Sequence, residues 1–325
     1  MLDRTGFDLT ESECGRLPSE EDVQFYEEHG WFVAPRLFDE ADVAEAITAV
    51  KAHQGGRRDA AAPTALNLID DWREGSSYRI RLNDYVALTN ERLAALLRRP
   101  LIAAVAARLA RTEEIRLWQS GIVYKEPLVD GAAVTIGWHT DRAYWRSCTS
   151  TRMLTAWIAL QDCDDLMGPV TMIDGSHLWP DTEAVRAVRY GRTFLGTDSA
   201  ELRRRLARTG MPVTTVPMNL RKGQVSFHNC LTVHGSGPNL SERPRIGLTA
   251  HFQDGENRYQ RAYDESGTLQ THNNDLACRK LPNGDVDYSD PDICPVLWRT
   301  TNARTPVAAR HTLNVSTNHQ EPQRE

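Results

Sequence analysis

The pattern of apolar and polar positions divides the chain into a helical part followed by a strand-rich part. Before residue 113, apolar residues recur at helical spacing, as Val43, Ala46, Ile47 and Val50 do on one face of a predicted helix. Capping residues and glycines mark the ends of these segments. The predicted helices span residues 19–29, 39–53 and 90–111, with Pro100 opening a second segment of the last.

The second part alternates apolar and polar residues with a period of two, which is typical of strands. The clearest predicted strands are 115–124, 153–162, 170–173, 213–217, 224–227 and 245–252. An arginine-rich helical insertion at 181–210 interrupts them, and we expect the polar segment 255–300 to fold over the mouth of the domain. Helices followed by many short strands predict a mainly β fold, a sandwich or jelly roll with flanking helices.

These elements fit one domain rather than two. We expect a flexible leader at 1–18, a single domain at 19–300 and a polar tail at 301–325. The expected parts of the domain are a helical N-terminal part at 19–112, a jelly-roll core at 113–254 and a C-terminal cover at 255–300.

Composition and charge narrow the class of protein and of partner. With 40% hydrophobic and 25% charged residues in a chain of 325, the balance is that of an ordinary globular domain. The net charge of −6 argues against a nucleic-acid partner, and no apolar run reaches the length of a membrane span. The six cysteines are scattered without a C-x-x-C pair, and no signal sequence opens the chain. We therefore expect a cytoplasmic protein with free thiols.

A His-x-Asp motif, His139 and Asp141, carries the candidate chemistry together with the later His234. Residues i and i+2 of a strand point to one side, so both motif side chains can reach one metal ion. Two imidazoles and one carboxylate form the ligand set of non-haem Fe(II) oxygenases. We expect His234 on a strand that faces the motif. His228, six residues earlier, is an alternative that strand parity does not exclude.

Arg245 lies eleven residues after His234, past a turn rich in glycine, serine, proline and asparagine. It begins an alternating run whose apolar members are Ile246, Leu248, Ala250 and Phe252. The run is typical of a strand with one buried face. An arginine at its start can bind a carboxylate through two parallel hydrogen bonds. Arg243 is the local alternative.

Together these motifs resemble the phytanoyl-CoA dioxygenase family of Fe(II)/2-oxoglutarate-dependent oxygenases. The resemblance covers roughly residues 19–253, with order and spacing preserved. The matching stretches are 25–33, 137–141, 153–162, Gly168-Pro169-Val170, Gly175-Ser176-His177, Phe227-His228, His234-Gly235-Ser236, Asn239, Arg245 and His251-Phe252. The resemblance implies that the jelly roll is a double-stranded β-helix.

The resemblance also implies how a metal is held. His139, Asp141 and His234 would be the ligands of Fe(II). The histidines expected not to be ligands are His177, His228 and His251. 2-Oxoglutarate and then O2 would fill the open metal positions, coupling decarboxylation of 2-oxoglutarate to oxidation of a substrate C–H bond. Related halogenases have a small residue in place of the carboxylate, so the presence of Asp141 favours hydroxylation.

A site for 2-oxoglutarate follows from the same resemblance. Arg245, in preference to Arg243, would bind the distal carboxylate, and Ser236 would add a hydrogen bond. Lys125 could reach a carboxylate in the site or be solvated at a strand end. The expected cosubstrate site is completed by Thr155 and Trp157.

Five residues near the metal motif are candidates for contact with a substrate: Arg142, Tyr144, Trp145, Tyr78 and Arg81. An entrance that carries arginine and tryptophan suits a polar or anionic small molecule with an apolar part. A fatty acyl-CoA is an alternative. Only four of the 38 basic residues are lysines. That bias is typical of a GC-rich bacterial genome and favours a step in bacterial secondary metabolism.

Two other classes of function are open. A redox-inert metalloprotein, such as a zinc hydrolase, needs a base near the metal, and the sequence has no His-Glu-x-x-His motif. A catalytically silent binding module is expected to have lost a metal ligand or the arginine, and neither is lost. We therefore expect a hydroxylase-type oxygenase that acts on a small molecule.

Overall fold

A computed structural model describes residues 8–66, 71–76, 80–128, 135–191, 199–264 and 266–300. Its helices are α1 (Glu11–Cys14), α2 (Glu20–His29), α3 (Glu40–Gln54), α4 (Val86–Thr89), α5 (Glu91–Leu97), α6 (Pro100–Leu109), α7 (Glu183–Arg189), α8 (Ser199–Thr209) and α9 (Asn273–Ala277). Its strands are β1 (Trp31–Ala34), β2 (Ile80–Asp84), β3 (Glu114–Lys125), β4 (Ile136–His139), β5 (Leu154–Ala159), β6 (Val170–Ile173), β7 (Thr215–Pro217), β8 (Val225–Asn229), β9 (His234–Ser236), β10 (Arg245–Asp254), β11 (Ala262–Tyr263), β12 (Leu269–Gln270) and β13 (Val296–Arg299).

The first long helices begin at side chains that cap them. At α2, Ser19 and Asp22 each accept a hydrogen bond from the other's backbone N–H, and Asp39 and Asp42 repeat this arrangement at α3. Gly30 ends α2 with φ of 77°, a left-handed conformation that favours glycine. The helix start and helix end predicted from the sequence are confirmed.

A seven-stranded antiparallel sheet forms the centre of the domain. Its order is β1-β8-β5-β10-β3-β13, and β2 pairs with the C-terminal half of β3. The longest pairing joins β3 and β10, from Arg245 beside Lys125 to Asp254 beside Ile115. A smaller sheet of order β4-β9-β6-β7 packs on one face of this large sheet.

Strand β10 shows how the two faces of the large sheet differ. Its apolar residues Ile246, Leu248, Ala250 and Phe252 belong to the core that helices α2 to α6 close. Arg245, Thr249 and His251 line a cavity between the two sheets. Because side chains alternate along a strand, the same segment contributes to an apolar core and to a polar cavity.

The two sheets pack together through a smaller core. Trp157 and Ala159 of β5 pack with Val170 and Met172 of β6 and with Met218. The antiparallel sandwich formed in this way, with helices outside the large sheet, is the predicted double-stranded β-helix.

Part of the C-terminal segment lies at the cavity. Asn274 of α9 accepts a hydrogen bond from the Tyr85 hydroxyl at 2.5 Å, and Asp275 accepts one from the Tyr288 hydroxyl at 2.5 Å. These buried contacts hold residues 271–273 at the wall of the cavity. The cover expected over the whole of 255–300 stays a prediction.

Some elements differ from the sequence predictions. The strand predicted at 153–162 is shorter (Leu154–Ala159), and the short elements β2, β11, β12, β13 and α9 escape prediction because they contain too few residues to show a period. Helix α1 lies inside the predicted leader, whereas the predicted tail lies outside the described residues. Within the described part of the chain, no helix is long and apolar enough to span a membrane.

Replacement of Asn90 tests the start of α5. Its buried side chain accepts a hydrogen bond from the Leu93 N–H at 2.9 Å. We expect Asn90→Ala to lower the free energy of unfolding by about 1 kcal/mol, because a buried backbone donor loses its acceptor. Asn90→Ser keeps an acceptor and should lose much less. Chemical denaturation followed by circular dichroism measures both, and equal losses would show that the cap is not responsible.

Candidate metal and cosubstrate site

His139, Asp141 and His234 come together at the cavity between the sheets. His139 ends β4, His234 begins β9, and the two are paired across the small sheet. Their Nε2 atoms lie 4.0 Å and 3.6 Å from Asp141 Oδ1. One donor atom from each residue lies within 4.8 Å of the others, and no other such group of metal-ligating side chains occurs among the described residues.

Asp141 reaches this site by a route that differs from the prediction. The spacing predicted one strand for both motif residues, but β4 ends at His139 and Asp141 opens a short 3-10 turn through Ala143. Thr140 between them has extended backbone, and its hydroxyl donates to the carbonyl oxygen of Arg189 at 2.5 Å. The extended residue keeps both side chains on one side although strand pairing has stopped.

Backbone carbonyl groups orient both imidazoles. His139 Nδ1 lies 2.7 Å from the carbonyl oxygen of Gly137, and His234 Nδ1 lies 2.9 Å from that of Thr232. Because a carbonyl oxygen only accepts, each Nδ1 carries the proton and each Nε2 presents a lone pair. Burial lowers the pKa of both rings, which keeps them neutral, as metal ligands must be.

The carboxylate of Asp141 is held in its ionised form. Burial acts to raise its pKa, but His234 and His228 outweigh burial and hold the pKa well below its usual range. The Thr155 hydroxyl donates to Asp141 Oδ2 at 2.6 Å and lies 2.8 Å from His251 Nδ1. Two neutral nitrogens and one carboxylate oxygen therefore converge, which fits a divalent iron with open positions.

His228 lies close to this group but belongs to the other sheet. It is buried on β8, and its Nε2 lies 3.2 Å from Asp141 Oδ2. It is absent from the group of three whose donor atoms lie within 4.8 Å of one another. His177 lies elsewhere, with its Nε2 3.0 Å from the carbonyl oxygen of Glu27. The geometry favours His234 over both as the third ligand.

Arg245 is a buried guanidinium with unused donors. Its Nη1 donates to the carbonyl oxygen of Gly168 at 2.5 Å, whereas Nε and Nη2 are buried without a hydrogen-bond partner. Its Cζ lies 5.4 Å from the centre of the Trp157 ring. Burial lowers the pKa of Arg245 to about 10, so the side chain stays charged. A buried cation with two free donors fits the carboxylate of a ligand.

Lys125 is a second buried basic side chain beside Arg245. Its Nζ donates to Ser236 Oγ and to the carbonyl oxygen of Gly237, both at 2.6 Å. Burial, followed by the charge of Arg245, lowers the pKa of Lys125 to about 6. Ser236 and Arg245 line the cavity, and Lys125 lies behind Ser236. Lys125 therefore orients the serine instead of standing at a solvated strand end.

A single cavity of about 400 Å³ connects the metal group with Arg245. Apolar side chains form part of the cavity wall: Leu82, Val123, Ile136 and Val170. Trp157 also lines the cavity, and a Cβ on Gly247 would lie 2.5 Å from its ring. Gly247 thus allows the indole to lie flat against β10 beside the guanidinium. The polarity of this space fits 2-oxoglutarate, which is apolar between two polar ends.

Two of the predicted substrate residues line the cavity. Tyr144 and Trp145 follow the metal motif, and the Tyr144 ring lies 5.9 Å from that of His139. The Trp145 ring lies 5.2 Å from that of His251. The aromatic wall expected from the sequence is therefore present beside the metal group.

The predicted arginines do not stand at the entrance. Arg142 is buried away from the cavity, where its Nη1 donates to the carbonyl oxygen of Trp145 at 2.6 Å. Arg81 lies on the opposite face of β2, in contact with Glu126 and over the Tyr124 ring. Neither arginine lines the cavity, because β2 directs Leu82 and Asp84 toward it and not Arg81, and the 3-10 turn after β4 directs Arg142 to the backbone of Trp145. Tyr78 lies outside the described residues.

Several residues that line the cavity escape the sequence predictions: Asp84, Gln119, Thr249, Thr271, His272 and Asn273. Asp84 and Gln119 belong to strands whose pairing is not visible in sequence. The alternation of Leu82 and Asp84 is a signal for β2, but the strand is too short for that signal to stand out.

The phytanoyl-CoA dioxygenase family model matches residues 26–247, which is more than half of the chain and includes the three metal-site residues and Arg245. The chain belongs to the phytanoyl-CoA dioxygenase family. The family resemblance seen in the sequence is confirmed. The donor set described above fits the cofactors predicted with it, Fe(II) and 2-oxoglutarate as cosubstrate.

Known proteins share both sequence and fold with the chain. It is 26% identical over 251 residues to the ectoine dioxygenase of Bordetella bronchiseptica, which covers 74% of this chain and 76% of that protein. The epimerase SnoN in complex with Fe3+, alpha ketoglutarate and nogalamycin RO has a TM-score of 0.59 at 24% identity, covering 86% of this chain and 98% of that one. EctD from S. alaskensis with 2-oxoglutarate and 5-hydroxyectoine has a TM-score of 0.57 at 21% identity, covering 78% and 81%. These likenesses confirm the fold.

Removal of His234 and of His228 distinguishes the two candidates for the third ligand. We expect His234→Ala to weaken Fe(II) binding by more than about tenfold, because a first-row metal loses one of three protein donors. His228→Ala should change the affinity much less. Anaerobic equilibrium dialysis measures both variants, with circular dichroism as the control for folding. The reverse order of effects would make His228 the ligand.

Proposed function

We propose that this protein is a Fe(II)/2-oxoglutarate-dependent oxygenase that hydroxylates an unactivated C–H bond of a small molecule. One observation carries the proposal: a single cavity has a His/Asp/His group and a buried guanidinium with two unused donors on its walls. A metal site without a carboxylate cosubstrate gives no reason to bury such a guanidinium, because its desolvation is unfavourable. Membership of the family supports the same activity.

His139, Asp141 and His234 would hold the iron. When bound, Fe(II) with 2-oxoglutarate and O2 supplies oxidative decarboxylation of the cosubstrate coupled to oxidation of a substrate C–H bond. The chain contributes by fixing both imidazoles through backbone carbonyl groups and by holding the carboxylate through Thr155. Three protein donors would leave the remaining positions of the ion to other ligands.

The other end of the cavity would bind the distal carboxylate of 2-oxoglutarate. Arg245 presents Nε and Nη2, two neighbouring donors whose spacing matches the two oxygens of a carboxylate. Lys125 donates to Ser236 Oγ, so the serine proton is directed to another acceptor, which we assign to the same carboxylate. Trp157 covers the guanidinium and, with the apolar wall, keeps water from the middle of the ligand.

Hydroxylation is proposed over halogenation because Asp141 occupies the metal position that a halide needs. A role in bacterial secondary metabolism is supported by the scarcity of lysine relative to arginine. It is also supported by the likeness to SnoN, an epimerase from nogalamycin biosynthesis.

Anaerobic titration tests the proposed activity. Addition of Fe(II) and then 2-oxoglutarate to the protein should produce the weak visible charge-transfer band of the chelate. Arg245→Ala should raise the 2-oxoglutarate concentration that gives half of the maximal band intensity by about 30-fold or more. The reason is that a charge-assisted two-point contact contributes about 2–3 kcal/mol. Arg243→Ala is the matched control. Arg243 is exposed two residues away, and its removal should leave the titration unchanged.

Each other outcome assigns a different function. Metal binding without the band would favour a redox-inert metalloprotein. Absence of metal binding would favour a catalytically silent scaffold. A larger effect in Arg243→Ala than in Arg245→Ala would move the carboxylate anchor to the surface arginine.

Affinity for 2-oxoglutarate should weaken as pH rises from 6 to 8. The pKa of Lys125 is lowered to about 6, so above pH 6 the free protein carries a neutral lysine. A carboxylate bound nearby favours the charged amine, so binding takes up a proton and affinity falls by up to about tenfold per pH unit. Calorimetry in buffers of different ionisation enthalpy measures this proton. Lys125→Met should abolish the dependence, and a retained slope would assign the proton to another group.

A further inference from the structure

Asp84 is a carboxylate on the wall of the cavity that contains the metal group. It ends β2, where it pairs with Gly121 of β3. The adjacent row of cavity-facing residues across the large sheet is Gln119, His251, Thr155 and His228. Thr155 of that row hydrogen-bonds to the metal-site carboxylate. Asp84 therefore lies in the row of Thr249 and Trp157, one row from the level of the metal on the side of Arg245, and three strands across the sheet from Thr155.

No lysine or arginine of the described ranges lies within ion-pair distance of Asp84. Burial, with Asp71 as the next cause, raises the pKa of Asp84 to about 7, and the Gln119 side chain offsets this only in part. Asp84 also lines a second cavity with Arg58, Arg73 and Asp71, where the two arginines act on the Asp71 carboxylate. Asp84 thus lies between the two cavities, and no described lysine or arginine forms an ion pair with it.

The cavity wall has one positive side chain, and that side chain is not beside Asp84. Of the described residues on this wall, Arg245 is the only lysine or arginine, and it lies on β10, two strands from β2 and four residues from Thr249 in the row of Asp84. Arg142 and Arg81, predicted at the entrance, point elsewhere. This distribution disfavours the anionic substrates expected from the sequence, including an acyl-CoA with its phosphates.

The backbone beside Asp84 is closely packed. A Cβ on Gly121 would lie 2.8 Å from Thr249 Oγ1 and 3.4 Å from Asp84 Oδ1, so the absence of a side chain at Gly121 lets Thr249 and Asp84 approach β3 on the cavity wall. Tyr144 and Trp145 add aromatic rings to the same cavity. Aromatic faces and a carboxylate are the surroundings that bind organic ammonium groups.

We propose that Asp84 binds a protonated amino group of the substrate, which is therefore an organic cation with an apolar part. This assignment rests on the proposed oxygenase function, since it concerns the substrate end of that site. Three strand spacings separate β2 from β5, which is roughly 14 Å on a flat sheet and less on a curved one. The oxidised carbon is accordingly remote from the amino group, by on the order of 10 Å.

Three probes that differ in charge test the assignment: 4-phenylbutylamine, 4-phenylbutanol and 4-phenylbutyrate. The anaerobic protein is loaded with Fe(II) and saturating 2-oxoglutarate, so that the carboxylate site at Arg245 is occupied. Calorimetry should show that the amine binds about tenfold or more tightly than the alcohol, with the acid weakest. Asp84→Asn should remove this advantage of the amine and leave the Kd of the alcohol nearly unchanged.

Two further variants keep the test decisive. Asp71→Asn removes the neighbouring carboxylate, which does not line this cavity, and retains the oxygen that accepts the Asp84 N–H at 2.8 Å. It should keep most of the amine preference. Gly121→Ala should weaken amine binding without any change in charge, because its methyl group crowds Thr249 and Asp84 on the cavity wall.

The outcomes separate this assignment from the proposed activity. An amine preference that is absent in the unmodified protein, or that persists in Asp84→Asn, overturns the assignment. The chelate band recorded in the same samples reports on the oxygenase site. A band without amine preference rejects only the role of Asp84, whereas a missing band rejects the proposed function itself.

Discussion

The pairing register of β3, β10, β5 and β8 is the constraint on which the rest of the structure depends. In β10 it sends Leu248 and Phe252 into the core under the helices and Thr249 and His251 into the cavity. A slip of one residue would exchange the two sets, placing an imidazole against the helices and a phenylalanine beside the metal group. Burial of the apolar face contributes more to the free energy of folding than the contacts of the polar face do. Burial therefore fixes which side chains of the sheet face the cavity.

Charges inside the cavity are sorted by position. The metal group has neutral imidazoles and one ionised carboxylate, whereas the far end has the charged Arg245 and the amine of Lys125, which its pKa of about 6 leaves mostly neutral above pH 6, without a carboxylate beside them. Buried charges without partners are unfavourable, so a ligand that brings the missing charge gains the interaction that the fold leaves incomplete. An iron cation at one end and a dicarboxylate reaching the other complete both sets.

The β2 side of the cavity has an acidic group. Asp84 places a carboxyl group there with a pKa of about 7, so only part of the molecules carry a negative charge at this position at neutral pH. Arg81 contacts Glu126, and Arg58 and Arg73 act on Asp71. A cosubstrate with two negative charges and a substrate with a positive one would therefore each be disfavoured at the other's position. The difference in charge between two parts of one cavity would thus discriminate between cosubstrate and substrate without a second pocket.

Local sequence determined the features that depend on short spacing. Capping residues set the helix starts, a period of two set the longer strands, and the His-x-Asp spacing with Arg245 eleven residues after His234 indicated the metal and carboxylate sites. Only the tertiary structure decided which strands face one another. The partnership of β2 with β3 turns Asp84 inward and Arg81 outward, and the assignment of His228 and His234 to different sheets separates two similar candidates. Such choices depend on burial and on pairing between distant segments, which no local pattern in the chain encodes.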